Sequence, residues 1–409
     1  MSHQYPRREF LKKAVAGTGA ISSLPLLTDL SAQEAPAVRP DDFIKLVDED
    51  RAHYRGPNVI IIRFGGGVRR RETIVPAHTY CPYFLHELTK RGTFYRNMEI
   101  SQLEGVETGH GQGTLHILTG KYDRFKDAKG EVLKERFEAK VPTVFEYFRK
   151  AFNVPQHQTL IVNGEDRINE EFYSFSNHHL FGFKFRSNVL SLYRFKIFLL
   201  RRQIERGGLG EDVLKENKKL LAEMESQDYR TKYPSQQAPQ IHKFWEEWSQ
   251  HYGDSGFVNP RGDRLLTELT IRAIKQIRPK LIMVNYNDPD YVHWGNKSHY
   301  TRGISIIDEG LQRIVSTVEA DDAYRDNTVF VIVPDCGRDS NRAMAVPFQH
   351  HSGTKSSHEI FGLLFGPGVK RGKVIDDLVD QTSIAATIGK LVGFKAEFTE
   401  GPVLAEAIA

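Results

Sequence analysis

Residues 58–64 read NVIIIRF, with no polar residue from Val59 to Ile62. A strand of this kind cannot leave one face in water, because successive side chains point to opposite sides of a sheet. Similar runs recur at 158–164 (QTLIVNG), 280–286 (KLIMVNY), 328–334 (TVFVIVP) and 360–365 (IFGLLF), with TFYRNMEI at 93–100. Helical patterns lie among them, at 81–92, 114–120, 143–152, 300–319 and 380–393, the first two ending in glycine. Continuous apolar strands separated by helices predict an α/β fold with a mostly parallel sheet covered on both faces. In such sheets the chemistry collects at the carboxyl ends of the strands.

The rhythm breaks over 165–258, which is polar, charged and aromatic and includes EDVLKENKKLLAEMESQ. This segment predicts a helical insertion or cap. It divides one α/β domain into an N-terminal part, 38–164, and a C-terminal part, 259–409. The first 37 residues form a separate unit. RREFLKK precedes AVAGTGAISSLPLL, a charged region followed by a short apolar one and then small residues. Paired Arg7 and Arg8 followed by Phe-Leu-Lys resemble a twin-arginine signal, which predicts export of the folded protein to a periplasmic or extracellular location. Beyond that segment no apolar run is long enough for an ordinary membrane span. The net charge of +4 over 409 residues gives no support to a nucleic-acid partner. The two cysteines, Cys81 and Cys336, lie in no Cys-x-x-Cys pair, and a disulfide between them and two free thiols both stay open.

Three strand ends carry side chains suited to metal chemistry. NDPDYVHWG places Asp288, Asp290 and His293 within six residues just past a strand. Asp335 follows TVFVIVP, and His350, His351 and His358 precede IFGLLF. An isolated Asp after a strand is ordinarily a turn residue. Carboxylates and imidazoles at three strand ends of one sheet can instead converge on one borderline cation such as zinc.

With these motifs in place, the chain resembles the alkaline phosphatase/sulfatase superfamily. The resemblance covers 58–118 and 279–393 and rests on NVIIIRFGGGVR, HILTG, PDYVHWG, VFVIVPDCGRD, HHSGT, LLFGPGVKRG and DQTSIAATIGKLVG. It implies a doubly wound three-layer α/β/α sandwich and two metal sites. By motif position one site takes Asp290, His293 and His351, with Asp288, His350 and His358 as alternatives. The other retains Asp335 but has Cys336 where a histidine is usual and Gly66 where a metal-binding aspartate is usual. The nucleophile position falls at His110, with Thr108 two residues earlier. Arg69, Arg338 and Lys355 are the cations these loops offer to an anion.

The resemblance thus implies an exported metal-dependent hydrolase of a phosphate or sulfate ester, acting on a small-molecule or glycan substrate. The divalent metal would be zinc, with calcium or manganese as alternatives, and its second site would be incomplete. The other reading is a non-catalytic relative that binds an anionic ligand. A dinucleotide-binding reading of GGGVRRRE fails, because no glycine-rich turn opens directly into a helix with an acid about twenty residues on.

Overall fold

The computed structural model describes residues 54–102, 106–123, 126–127, 136–137, 139–163, 173–226, 238–253, 262–294, 296–339, 348–350 and 353–409. The expected signal segment, 1–37, lies outside the described residues. So does His351.

The elements that build the site run in chain order as β1 (Asn58–Arg63), β2 (Gly92–Glu99), α1 (His110–Thr119), α2 (Val144–Phe152), β3 (Thr159–Asn163) and β4 (Asn188–Ser191). Next come α3 (Leu192–Arg206), α4 (Glu211–Ser226), α5 (Pro239–Tyr252), α6 (Asp263–Gln276), β5 (Leu281–Asn285), α7 (Lys297–Glu319) and β6 (Thr328–Val333). The chain closes with β7 (Glu359–Phe365), β8 (Lys373–Ile375), β9 (Val379–Asp380) and α8 (Ser383–Val392). These nine strands form one sheet in the order β8-β2-β7-β6-β1-β5-β3-β4, with β9 also paired to β2. β1 is central and parallel to both neighbours, β5 and β6. Only β7 runs antiparallel to its neighbours, β6 and β2.

The expected three layers follow from the alternation of side chains along buried strands. Ile60 and Ile62 pack with Leu266 of α6 and with Ile304 and Leu311 of α7. Val59 and Ile61 face the other way, with Leu115 of α1, Phe145 of α2 and Ile384 of α8. All six residues of β1 are buried, so the strand is solvent-free on both faces. Among the described residues no helix is long and apolar enough to cross a membrane.

Three expectations need correction. The segment 165–258 is not wholly helical, because its residues 188–191 add β4 to the main sheet, parallel to β3. That strand has four residues, too few to show a period, and its first two are half-buried at the sheet's edge. The helix expected over 81–92 is broken into an α-turn, Pro82–His86, and a 3-10 turn, Leu88–Arg91. The helix expected at 114–120 begins four residues earlier, at His110, which places that imidazole on its first turn. Both cysteines are free and buried, which settles the disulfide question.

Candidate metal centre

Four loops converge beyond the carboxyl ends of β1, β5 and β6. Arg63, the last residue of β1, ties them together although its side chain is buried. It donates to Thr114 Oγ1 of α1 at 2.8 Å and lies 3.9 Å from the Asp335 carboxylate. Gly113 lets α1 approach this closely, because a Cβ there would overlap the carbonyl of Asp335. After β5 the chain turns at Asn287 and Asp288, whose backbone N–H groups both donate to the buried carboxylate of Asp263. Burial, reinforced by neighbouring Asp288, raises Asp263 well above the usual carboxylate range. Neither Arg63 nor Asp263 was among the expected site residues. The signal for Arg63 was a charge at the end of an otherwise apolar strand.

This scaffold aims four side chains at one point. His293 Nε2 lies 2.7 Å from Asp290 Oδ1, and His110 Nε2 lies 2.9 Å from the same oxygen. His350 Nε2 lies 3.6 Å from it and 3.1 Å from His293 Nε2. The four ligand atoms all fall within 4.8 Å of one another. Ligands held about 2.1 Å from a tetrahedral ion stand roughly 3.4 Å apart, so these spacings suit a shared zinc-type cation. The orientation of His350 fits as well. Its Nδ1 meets the Thr108 carbonyl at 2.8 Å, a contact that requires Nδ1–H and leaves the Nε2 lone pair turned inward. Three nitrogens and one carboxylate oxygen therefore fit a zinc ion.

The second expected site does not fit a metal as well. Its candidates are Asp335, Cys336 and the other face of His110. Asp335 Oδ2 lies 2.8 Å from His110 Nδ1, while Cys336 Sγ is 3.7 Å from that nitrogen. Burial and the Asp335 carboxylate push the Cys336 thiol up to about 11, so it is not a ready thiolate. Gly66 contributes no side chain and has φ +83°. A Cβ on Gly66 would sit 2.7 Å from the Asp290 backbone nitrogen and 2.9 Å from the Asn287 carbonyl oxygen. The charge beside this loop comes instead from Arg338, which is fully buried. Its guanidinium donates to the carbonyls of Gly66, Gly67 and Phe348 and to Asp290 Oδ1 at 2.8 Å.

The electrostatics follow from this crowding. Burial opposes ionisation of Asp290, but the surrounding His110, His293 and His350 hold it well below the usual carboxylate range. Asp335 is likewise buried, yet His110 and Arg63 bring it to about 2. Burial works against a charge on His110, and the two aspartates on either side of it prevail, raising it well above its ordinary value.

The remaining expected residues sort by what they touch. The Thr108 hydroxyl is buried and donates to the His350 carbonyl, so it holds the His350 backbone and does not join the cluster. His358 Nδ1 contacts the Ile100 carbonyl at 2.9 Å, and Asp288 accepts from the Asp263 backbone at 3.2 Å; neither joins the cluster. Arg69 is held by both oxygens of Glu72, at 2.6 and 2.7 Å. Lys355 is exposed and 3.6 Å from Glu359.

No protein-family model matches the chain, and no curated protein does. Solved structures do match. The alkaline phosphatase PafA superposes with a TM-score of 0.52 at 11% identity, covering 87% of this chain and 99% of that one. A 2-O GAG sulfatase gives 0.50 at 14% identity, covering 86% and 74%. A putative sulfatase from Bacteroides thetaiotaomicron VPI-5482 gives 0.50 at 13%, again covering 86% and 74%. The fold is therefore the α/β fold seen in this alkaline phosphatase and these sulfatases, as the sequence resemblance implied. Identities this low define the fold, and the chemistry rests on the site itself.

Proposed function

We propose that this chain is a hydrolase of phosphate or sulfate esters that works with one divalent ion, zinc by its donor set. The observation that carries this reading is the convergence of His110, Asp290, His293 and His350 within 4.8 Å at the carboxyl ends of the central strands. Asp290, His293 and His350 would hold the ion; His351, the histidine that motif position names first, lies outside the described residues. When bound, the ion supplies Lewis-acid polarisation of a phosphoryl or sulfuryl oxygen.

The chain's own groups do the rest. Asp335 accepts from His110 Nδ1–H and so fixes the ring, leaving Nε2 as the atom turned to the centre. His110 stands where the superfamily places its nucleophile. From there Nε2–H, which faces the Asp290 carboxylate at 2.9 Å, can give its proton to the leaving oxygen. Arg338 provides a fixed positive charge beside Asp290 without reorganising during reaction. Its role is that of the missing second cation.

The test is elemental analysis joined to turnover. Protein purified without chelator should carry one zinc per chain. It should hydrolyse an aryl phosphate or an aryl sulfate slowly, lose that activity with chelator and regain it with zinc. Zinc-loaded protein that turns over neither ester would favour the non-catalytic, anion-binding reading.

We further propose that the protein is exported by the twin-arginine route, on the strength of Arg7, Arg8 and the weakly apolar stretch behind them. Arg7→Lys/Arg8→Lys should leave the precursor inside the cell. Unaltered export of that variant would dismiss the route.

A further inference from the structure

A cavity of about 320 Å³ opens between Arg71, Glu72, Ala77, His78, Thr79, Tyr80 and Lys297. Its walls come from residues 71–80, which follow the glycine loop of β1, and from Lys297 at the start of α7. Arg71 lies on the short helical turn Arg70–Thr73, which follows the glycine loop of β1. Lys297 opens α7, directly after the segment that carries Asp290 and His293. The cavity's one carboxylate, Glu72, is neutralised by Arg69 through two bonds. Arg69 in turn lies over the Phe348 ring at 4.8 Å, two residues from His350. Neither Arg71 nor Lys297 has an ion-pair partner among the described residues. Tyr80 exposes 43% of its surface at the rim.

A concave site with two uncommitted cations and no free acid selects for negative charge. We propose that it is a second oxyanion subsite, binding an anionic group of the substrate other than the one cleaved. The substrate is then a polyanion, and a carboxylate, sulfate or phosphate would satisfy the same two cations. This rests on the ester-hydrolase reading for the word substrate, though not for the binding itself.

The experiment is a calorimetric titration of the full chain at about 150 mM salt, where diffuse surface attraction is largely screened. The probes are tripolyphosphate and a sulfated disaccharide. Arg71→Ala/Lys297→Ala should weaken at least one probe about tenfold, equivalent to about 1.4 kcal/mol. The probe that weakens identifies the class of anion. A control that removes the same charge elsewhere, Lys373→Ala/Lys390→Ala, should leave both affinities within about twofold, since surface charges this far off are screened. Equal weakening by both double variants, or by neither, overturns the proposal. Turnover of a small aryl ester, which has no second anion, should be the same in wild type and Arg71→Ala/Lys297→Ala. A fall there would place the two cations at the reacting group and overturn it as well. If wild type cleaves no ester and the double variant still weakens a probe selectively, the subsite stands and the hydrolase reading falls.

Discussion

On the one-ion hydrolase reading, His293→Ala should leave a folded protein that no longer retains a divalent ion and no longer cleaves an ester. The side chain lies on the 3-10 turn Asp288–Trp294, outside both apolar core layers, so its removal opens no core cavity. It does delete one of the nitrogens packed around Asp290 Oδ1, leaving only His350 and the carboxylate to hold the ion. Loss of an outer partner to a metal ligand typically costs ten- to a hundredfold in affinity, and loss of the ligand itself should exceed about a hundredfold. His358→Ala is the matching control, because that imidazole binds the Ile100 carbonyl and lies outside the cluster. It should keep its ion while losing about 1 kcal/mol of stability for the broken hydrogen bond. Elemental analysis and thermal melts of the two variants decide the matter. Equal metal in His293→Ala and wild type would remove His293 from the centre.

The central strands were legible because they are buried on both faces and so advertise themselves as unbroken apolar runs. β4 was not, since a four-residue edge strand carries no period. Asp290, His293 and Asp335 were legible for a related reason: each follows an obvious strand, where α/β folds gather their chemistry. His350 was legible only as an alternative, because its aim depends on the turn before it. The backbone of Phe348, at φ +66°, belongs to that turn, and nothing in the letters FQHH announces it. Arg338 was legible only as a charge in a loop. Its burial depends on carbonyls from Gly66, Gly67 and Phe348, acceptors that every residue type offers and no sequence displays. Lys355 occupies the opposite case, a nearby cation that stays at the surface.

The glycines after β1 then acquire a meaning different from a simple loss of ligand. Placing an aspartate at Gly66 would be expected, from motif position alone, to rebuild the second metal site, more so with Cys336→His. The structure predicts the reverse. Gly66 sits at a positive φ, and its Cβ would press on backbone atoms of Asp290 and Asn287, which cannot move without displacing the metal ligand itself. Its carbonyl is already committed to Arg338. Gly66→Asp should therefore cost about 2–3 kcal/mol and add no metal, alone or with Cys336→His. Arg338→Met should be equally harmful for the complementary reason. It strips the guanidinium from the three carbonyls and one carboxylate arranged around it, and removing one partner of this charge pair costs about 3 kcal/mol, the low end because Asp290 is partly exposed. Arg338→Lys should recover only part of that loss, because an ammonium is a point charge with no planar fork to span four acceptors. Metal counts and chemical denaturation of the variants separate the two accounts. Two ions per chain in Gly66→Asp/Cys336→His, or wild-type stability in Arg338→Met, would mean that the guanidinium does not take the place of the second ion.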